Sequence, residues 1–291
     1  MSAAARVTAH AKLNLSLRVG APGPDGFHDI ATAFIRVALG DDVVVRLQPA
    51  GRTVDCRGID VGPAVHNLAL RAADAYAAAT GWPAGVSIEI DKHVPVGGGL
   101  GGGSADAGAV LRALDALAPR PVGDRVLLGI AARVGSDVPY LTTEHPLAWA
   151  TGRGERLDAL NPLGVRQVAL VCPAFAVATA EAYAWLDADR AEAGWHATPM
   201  LDKVPDRWSD FPAQPRNDLE PPVSRRHPEI AQSIAELRTA GARIAGMSGS
   251  GSTVFGVFDE APDAATLARA GLRAVVFTHT LANIDPVQLL D

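Results

Sequence analysis

Leu13, Leu15, Leu17 and Val19 alternate with Lys12, Asn14, Ser16 and Arg18 near the start of the chain. Period two marks a half-buried strand, so Ala11–Val19 is expected to be one. The same alternation puts Lys12 and Asn14 together on the face opposite the core. Gly20–His28 is dense in turn residues, yet it ends in an aromatic and a histidine. Further strands are expected at Ala31–Val37, Asp42–Leu47 and Val86–Ile90. Asn67–Thr80 reads as an alanine-rich helix with Asn67 at or near its cap, and Asp124–Val134 as another, stopped by Gly135-Ser-Asp-Val-Pro139.

The pattern restarts beyond Glu155. Arg166–Cys172 reads as an apolar strand and Thr179–Leu186 as a short helix. Ala197–Pro222 is irregular, proline-rich and bears a tryptophan. Pro228–Ala240 is expected to be a helix with Ile230, Ile234 and Leu237 on one face. Strand-like Ile244–Phe258 embeds the cluster Gly246-Met-Ser-Gly-Ser-Gly-Ser-Thr253; a helix over Ala264–Ala270 and a strand over Arg273–Thr278 follow. Strands and helices mix in both halves, which predicts an α+β protein of two domains, 1–158 and 159–291.

One segment breaks the patterning altogether. Six glycines fall between Gly97 and Gly103 in Pro95-Val-Gly-Gly-Gly-Leu-Gly-Gly-Gly-Ser104. Backbone without side chains can approach a ligand closely. Ser104 then opens a helical run to Leu117, with Val110, Leu111, Leu114 and Leu117 at helical spacing. A glycine loop emptying into a helix N-terminus presents unpaired N–H groups and the positive end of the helix dipole, a site for phosphate. A flexible linker or a tight turn is the alternative reading of such glycines. The G-x-G-x-x-G match is weak, because any glycine run satisfies it and no dinucleotide-type βαβ unit follows. The P-loop pattern is absent, and the nearest lysine is Lys92, upstream of the loop.

Composition narrows the class. The 291 residues are 48% hydrophobic and 20% charged, with a net charge of −6, which argues against a nucleic-acid or anionic-membrane partner. The N-terminus lacks the apolar core of a signal peptide, and a cytoplasmic location is expected. Cys56 and Cys172 read as free thiols of a reducing compartment, and the eight histidines show no metal-ligand spacing, so no protein-held metal is expected. Only Lys12, Lys92 and Lys203 are lysines, which makes Lys12 stand out.

Phosphoryl transfer needs a phosphate cradle, positive charge near the transferred group and a carboxylate to take the hydroxyl proton. Asp137 suits the last role, and Lys12 could hold it ionised. Taken alone, Asp137 reads more readily as a turn or cap residue and Lys12 as a solvated strand lysine, and spacing does not show that they meet.

Read together, separate motifs resemble the superfamily of galactokinase, homoserine kinase, mevalonate kinase and phosphomevalonate kinase. They are Ala11-Lys-Leu-Asn-Leu15, Asp25-Gly-Phe-His28, Asn67-Leu68, Pro95–Asp106, Gly135–Pro139, Gly152-Arg-Gly-Glu155, Asn217-Asp-Leu-Glu220 and Met247-Ser-Gly-Ser-Gly251, in the right order along nearly the whole chain. The Lys-Leu-Asn strand joined to Asp-Gly-Phe-His resembles the branch whose acceptor carries cytidine. The resemblance implies a ribosomal-protein-S5-like N-terminal domain and a ferredoxin-like C-terminal one, with the active site between them. It implies ATP-dependent phosphorylation of the 2-hydroxyl of 4-diphosphocytidyl-2-C-methyl-D-erythritol, with magnesium travelling on ATP. Another kinase of the superfamily and a non-catalytic nucleotide-binding protein are the alternatives.

By the same resemblance Lys12 and Asp137 form the catalytic pair. Asn67, Pro95, Val96, Gly97, Gly98, Gly99, Leu100, Gly101, Gly102, Gly103, Ser104 and Ala105 bind ATP. Asn14, Phe27, His28, Thr179 and Tyr183 bind the acceptor, with His28 reading the cytosine edge between the rings of Phe27 and Tyr183. Phe27 stands where the family usually has Tyr, Gly23 where it often has Arg, and Ala105 where a second serine is common. The partner is a small molecule; the oligomeric state stays open, with a monomer slightly favoured.

Overall fold

The computed structural model describes residues 3–59, 62–194, 205–267 and 271–290. Two sheets stack back to back. The first is built from β1 (Ala4–Pro22), β2 (His28–Gln48), β3 (Gly51–Arg57), β4 (Gly85–Asp91), β5 (Leu147–Gly152) and β6 (Arg156–Ala159). A last strand, β11 (Gln288–Leu290), pairs antiparallel with β1. The segments expected at Ala31–Val37 and Asp42–Leu47 are one strand. β2 pairs β1 along its length, then β5 at Ile30–Ile35 and β4 at Asp42–Gln48 on its other edge. The short or partly polar β3, β5, β6 and β11 were not expected.

Four helices cover the outer face of this sheet: α1 (Leu68–Thr80), α2 (Gly102–Leu117), α3 (Asp124–Val134) and α4 (Val138–Thr142). Asn67 caps α1 as expected, its Oδ1 accepting from Ala69 N–H. Tyr76, Val110, Leu111, Leu114, Ile130 and Tyr140 pack there against Val7, Phe34 and Val45. The second sheet has the order β10–β7–β9–β8, from β7 (Gln167–Pro173), β8 (Ile244–Met247), β9 (Val254–Phe258) and β10 (Leu272–His279). One face carries α5 (Thr179–Glu192), α6 (Glu220–Arg226) and α7 (Pro228–Thr239), with Ile230, Ile234 and Leu237 buried as the spacing predicts. Its other face meets the first sheet, where Leu13, Leu15 and Ile35 pack against Leu170, Phe255 and Val257. This is the α+β architecture expected.

Several expectations change. Lys12 and Asn14 do not lie on a solvated face; both are buried, 3% and 4% exposed. β1 is covered on both sides, and a register shift between His10 and Lys12 marks a bulge. A bulge inverts which residues face which way. Ala5, Val7 and Ala9 face the helices before it, whereas Ala11, Leu13 and Leu15 face the second sheet after it. Lys12 and Asn14 therefore continue the helix-covered face, under the head of α2. α5 runs a turn and a half beyond Leu186, α6 starts inside the segment expected to be irregular, and Ala264–Thr266 is a 3-10 turn. Residues 195–204 and 268–270 lie outside the described part. The division at 158/159 is also incomplete as a domain boundary: it clips the end of β6, and β11 returns to the first sheet. Among the described residues no helix is long and apolar enough to cross a membrane.

Candidate active site

The glycine run leaves β4 and turns back over the edge of β1. Gly97, Gly99 and Gly101 have φ of 74°, 74° and 72°, so every second residue is left-handed, a conformation that favours glycine. Side chains are excluded for a second reason. A Cβ on Gly98 would overlap the Thr253 hydroxyl, and one on Gly99 would overlap the Ser248 carbonyl. The loop is thus wedged against the turn between β8 and β9: Thr253 N–H donates to Gly98 O, and Ser248 Oγ donates to Gly99 O at 3.0 Å. Asn217 Nδ2 donates to Met247 O and Gly249 O, both at 2.8 Å, and holds that turn from beneath.

Ser104 does not open the helix. α2 starts two residues earlier, after left-handed Gly101, and has no side-chain cap. The first N–H groups of a helix have no partner within it, so the α2 N-terminus is open to a ligand. Gly102, Gly103 and Ser104 face a cavity of about 400 Å³.

Lys12 reaches the same place from below. Its Nζ donates to Asn14 Oδ1 at 2.7 Å and to Gly99 O at 2.9 Å, and lies 3.5 Å from Asp137 Oδ2. Asn14 Nδ2 donates to Thr32 Oγ1 at 2.8 Å, which fixes the amide and so the ammonium. Asp137 is the N-cap of α4 but makes no side-chain cap bond, leaving its carboxylate, 31% exposed, to Lys12 and the cavity. Burial, then the Asp137 charge, pushes the Tyr183 phenol up to about 12.

The cavity collects Lys12, Asn14, Asn67, Pro95 to Ser104, Asp137, Thr179 and Tyr183 from along the chain. Ala105, Phe27 and His28 are not in its lining. Ala105 is buried in the core under α2 and its N–H already bonds Gly101 O, so it is no phosphate donor. His28 bonds Asp187 Oδ1 through Nε2 at 2.9 Å, and its ring centroid lies 5.0 Å from that of Tyr183. Phe27 is 59% exposed and lies against Arg153 instead of forming a sandwich with Tyr183.

The sequence marked Lys92 only as one of three lysines, upstream of the glycine loop, and Asp41 not at all. Lys92 Nζ donates to Asp41 Oδ2 at 2.5 Å and Asp106 Oδ2 at 2.7 Å, and all three are buried. Asp41 Oδ1 also accepts from His93 N–H and Val94 N–H, fixing the entry to the glycine loop. Two carboxylates share one ammonium, and Asp106 Oδ1 has no partner. Burial pushes Asp106 up to about 7; Lys92 opposes that shift and Asp41 adds to it.

The chain matches the family descriptions "GHMP kinases N terminal domain" over residues 67–145 and "GHMP kinases C terminal" over 209–275. A relative from Anaeromyxobacter dehalogenans (strain 2CP-C), named 4-diphosphocytidyl-2-C-methyl-D-erythritol kinase, is 44% identical over 255 residues, 86% of this chain and 79% of its own. One of the same name from Geobacter sp. (strain M21) is 39% identical over 90% of this chain and 92% of its own. A crystal structure of 4-(cytidine 5'-diphospho)-2C-methyl-D-erythritol kinase superposes with a TM-score of 0.73 at 34% identity, covering 94% of this chain and 98% of that one. Homoserine kinase from Cytophaga hutchinsonii, at TM-score 0.70 and 19% identity over all of this chain and 98% of its own, shares the fold. With both halves of the family matched and relatives above 30% identity spanning most of its length, the chain belongs to the GHMP kinases, in the family of 4-diphosphocytidyl-2-C-methyl-D-erythritol kinases.

Proposed function

We propose that this chain is an ATP-dependent kinase that phosphorylates the 2-hydroxyl of 4-diphosphocytidyl-2-C-methyl-D-erythritol, the acceptor in the names of its relatives. The observation that carries the chemistry is the Lys12–Asp137 pair, 3.5 Å apart beside the uncapped head of α2. ATP phosphates would lie on the N–H groups of Gly102, Gly103 and Ser104, where backbone dipoles meet developing negative charge. Asp137 would accept the hydroxyl proton as that oxygen bonds the γ-phosphorus and the bond to ADP breaks. Lys12, held by Asn14 and Gly99, orients the carboxylate and offsets charge on the entering oxygen.

Magnesium would arrive with ATP, carried on its phosphates. Ser104, at the head of α2, is the hydroxyl placed to meet it, and the ion would neutralise phosphate charge there. Asn14, Thr179 and Tyr183 are the proposed acceptor contacts within the cavity, with His28 reading the base from behind Tyr183. All these groups come from one chain, so a monomer suffices, and dependence on ATP accords with a cytoplasmic location. The test is a coupled ADP assay: release only with the cytidyl acceptor supports the reading, and equal release with homoserine or mevalonate overturns it.

A further inference from the structure

An acceptor that carries a diphosphate brings two negative charges to the mouth of the cavity. The cations in the described lining are Lys12 and Lys92, and both are committed. Lys12 serves Asn14, Gly99 and Asp137, and Lys92 lies between two buried aspartates. No arginine occurs among the described lining residues. Outside the lining, Arg273 donates to Val96 O of the glycine loop, and the turn between β5 and β6 brings a second arginine, Arg153, against Phe27. Gly154 in that turn is packed so that a Cβ would lie 3.2 Å from Ser136 O, next to Asp137, and 3.7 Å from Ile30 Cδ1, a cavity residue. Its neighbour Arg153 reaches Phe27, the guanidinium carbon sitting 4.1 Å from the ring centroid.

A guanidinium lying flat on a ring keeps its N–H edge free for in-plane acceptors. Here the edge meets Asp25, from the same turn as Phe27. Both members of that pair are about half exposed, 46% and 54%, and an exposed carboxylate is readily exchanged for a phosphate that can take two N–H bonds. The arrangement also accounts for the exposure of Phe27, whose ring supports the arginine.

The geometry points to Arg153 as a specificity-determining residue that holds the diphosphate of the nucleotide-linked acceptor, its guanidinium laid on Phe27 and handed over from Asp25. This rests on the acceptor proposed above. Arg153→Gln keeps a flat side chain but removes the charge. It is expected to raise the acceptor KM by about tenfold while kcat and the ATP KM stay within about twofold. Arg153→Lys, with charge but without the fork, should fall between. Raising the salt should increase the native acceptor KM more steeply than that of the Gln variant.

If Arg153 only clamps the turn through Asp25, Asp25→Asn should mimic Arg153→Gln; if it binds phosphate, Asp25→Asn should leave the acceptor KM at or below the native value. An acceptor KM unchanged in Arg153→Gln, an ATP KM rising in parallel, or equal effects of the two substitutions would overturn the assignment. Calorimetry of acceptor binding without ATP separates the two proposals. A native protein that binds the acceptor more tightly than Arg153→Gln but never phosphorylates it would refute the reaction and keep the contact. One that does not bind it at all would refute both.

Discussion

Asp137 and Asp106 are carboxylates of opposite circumstance. Asp137 faces the cavity with Lys12 as its ion partner, so replacing it by Asn removes proton acceptance and little else. Asp137→Asn should lower kcat by ~10²–10⁴ with ATP affinity little changed; near-normal turnover of the folded variant would exclude it as the base. Asp106 is buried beside Lys92 and Asp41, and burial raises its pKa from 3.8 to about 7. Between pH 3.8 and about 7 the native state therefore holds a proton that the unfolded chain has released. Asp106's contribution to stability is full below pH 3.8 and is lost as pH rises through 7. Asp106→Asn leaves Lys92 balanced by Asp41 alone and should flatten that loss. Melting temperatures of native protein and variant should converge near pH 4 and separate by pH 8 in favour of Asn. Parallel curves would show that Asp106 does not titrate in this range. His10, pushed down to about 4 by burial and then by Arg36, is common to both proteins and cancels.

The glycine loop with α2 is the element that joins both halves of the site, and its glycines are not equivalent. Gly101 is left-handed, and a Cβ there would lie 3.1 Å from Lys12 Cγ and 3.2 Å from Leu141 Cδ1. Gly101→Val should thus displace Lys12 and lower kcat as well as ATP binding. Gly103 has no such neighbour, with only Leu68 Cδ1 at 3.8 Å, and it faces the cavity. Gly103→Ala should weaken ATP binding alone, by about tenfold, while folding is preserved. Calorimetry showing unchanged ATP affinity would place the phosphates elsewhere. Much of this element was legible: repeated glycine before an apolar-periodic helix is a strong pattern, and Asn67–Thr80 and Asp124–Val134 came out to within a residue. The start of α2 did not, because glycine carries no propensity signal to mark a first turn. The alternation did put Lys12 opposite Leu13 and Leu15, but a period-two pattern does not tell that the second face is covered as well, so its burial went unread. Lys92–Asp41–Asp106 spans 65 positions and needs the fold to assemble, as do Phe27 and Arg153.

The whole molecule is held as one unit by the apolar seam between its sheets, where Leu13, Leu15 and Ile35 meet Leu170, Phe255 and Val257. The site lies across that union, since the 98–99 backbone is bonded to Ser248 and Thr253 of the second sheet. One strand of the first sheet comes from the far end of the chain: Ala4 pairs with Leu290 and Arg6 with Gln288. Paired strands lie about 5 Å apart, so the two ends of the described fold are side by side. The described fold thus opens and closes on neighbouring strands, β1 and β11. A short linker from Leu290 to Ala4 could close that gap and the chain be opened elsewhere, at the exposed Arg120–Pro121 connection between α2 and α3, outside the cavity lining. Such a rearranged chain should fold in a single cooperative transition and keep kcat within about fivefold of the original order. Loss of cooperative unfolding would mean that order of synthesis, and not only adjacency in space, is needed to seat β1 between its two neighbours.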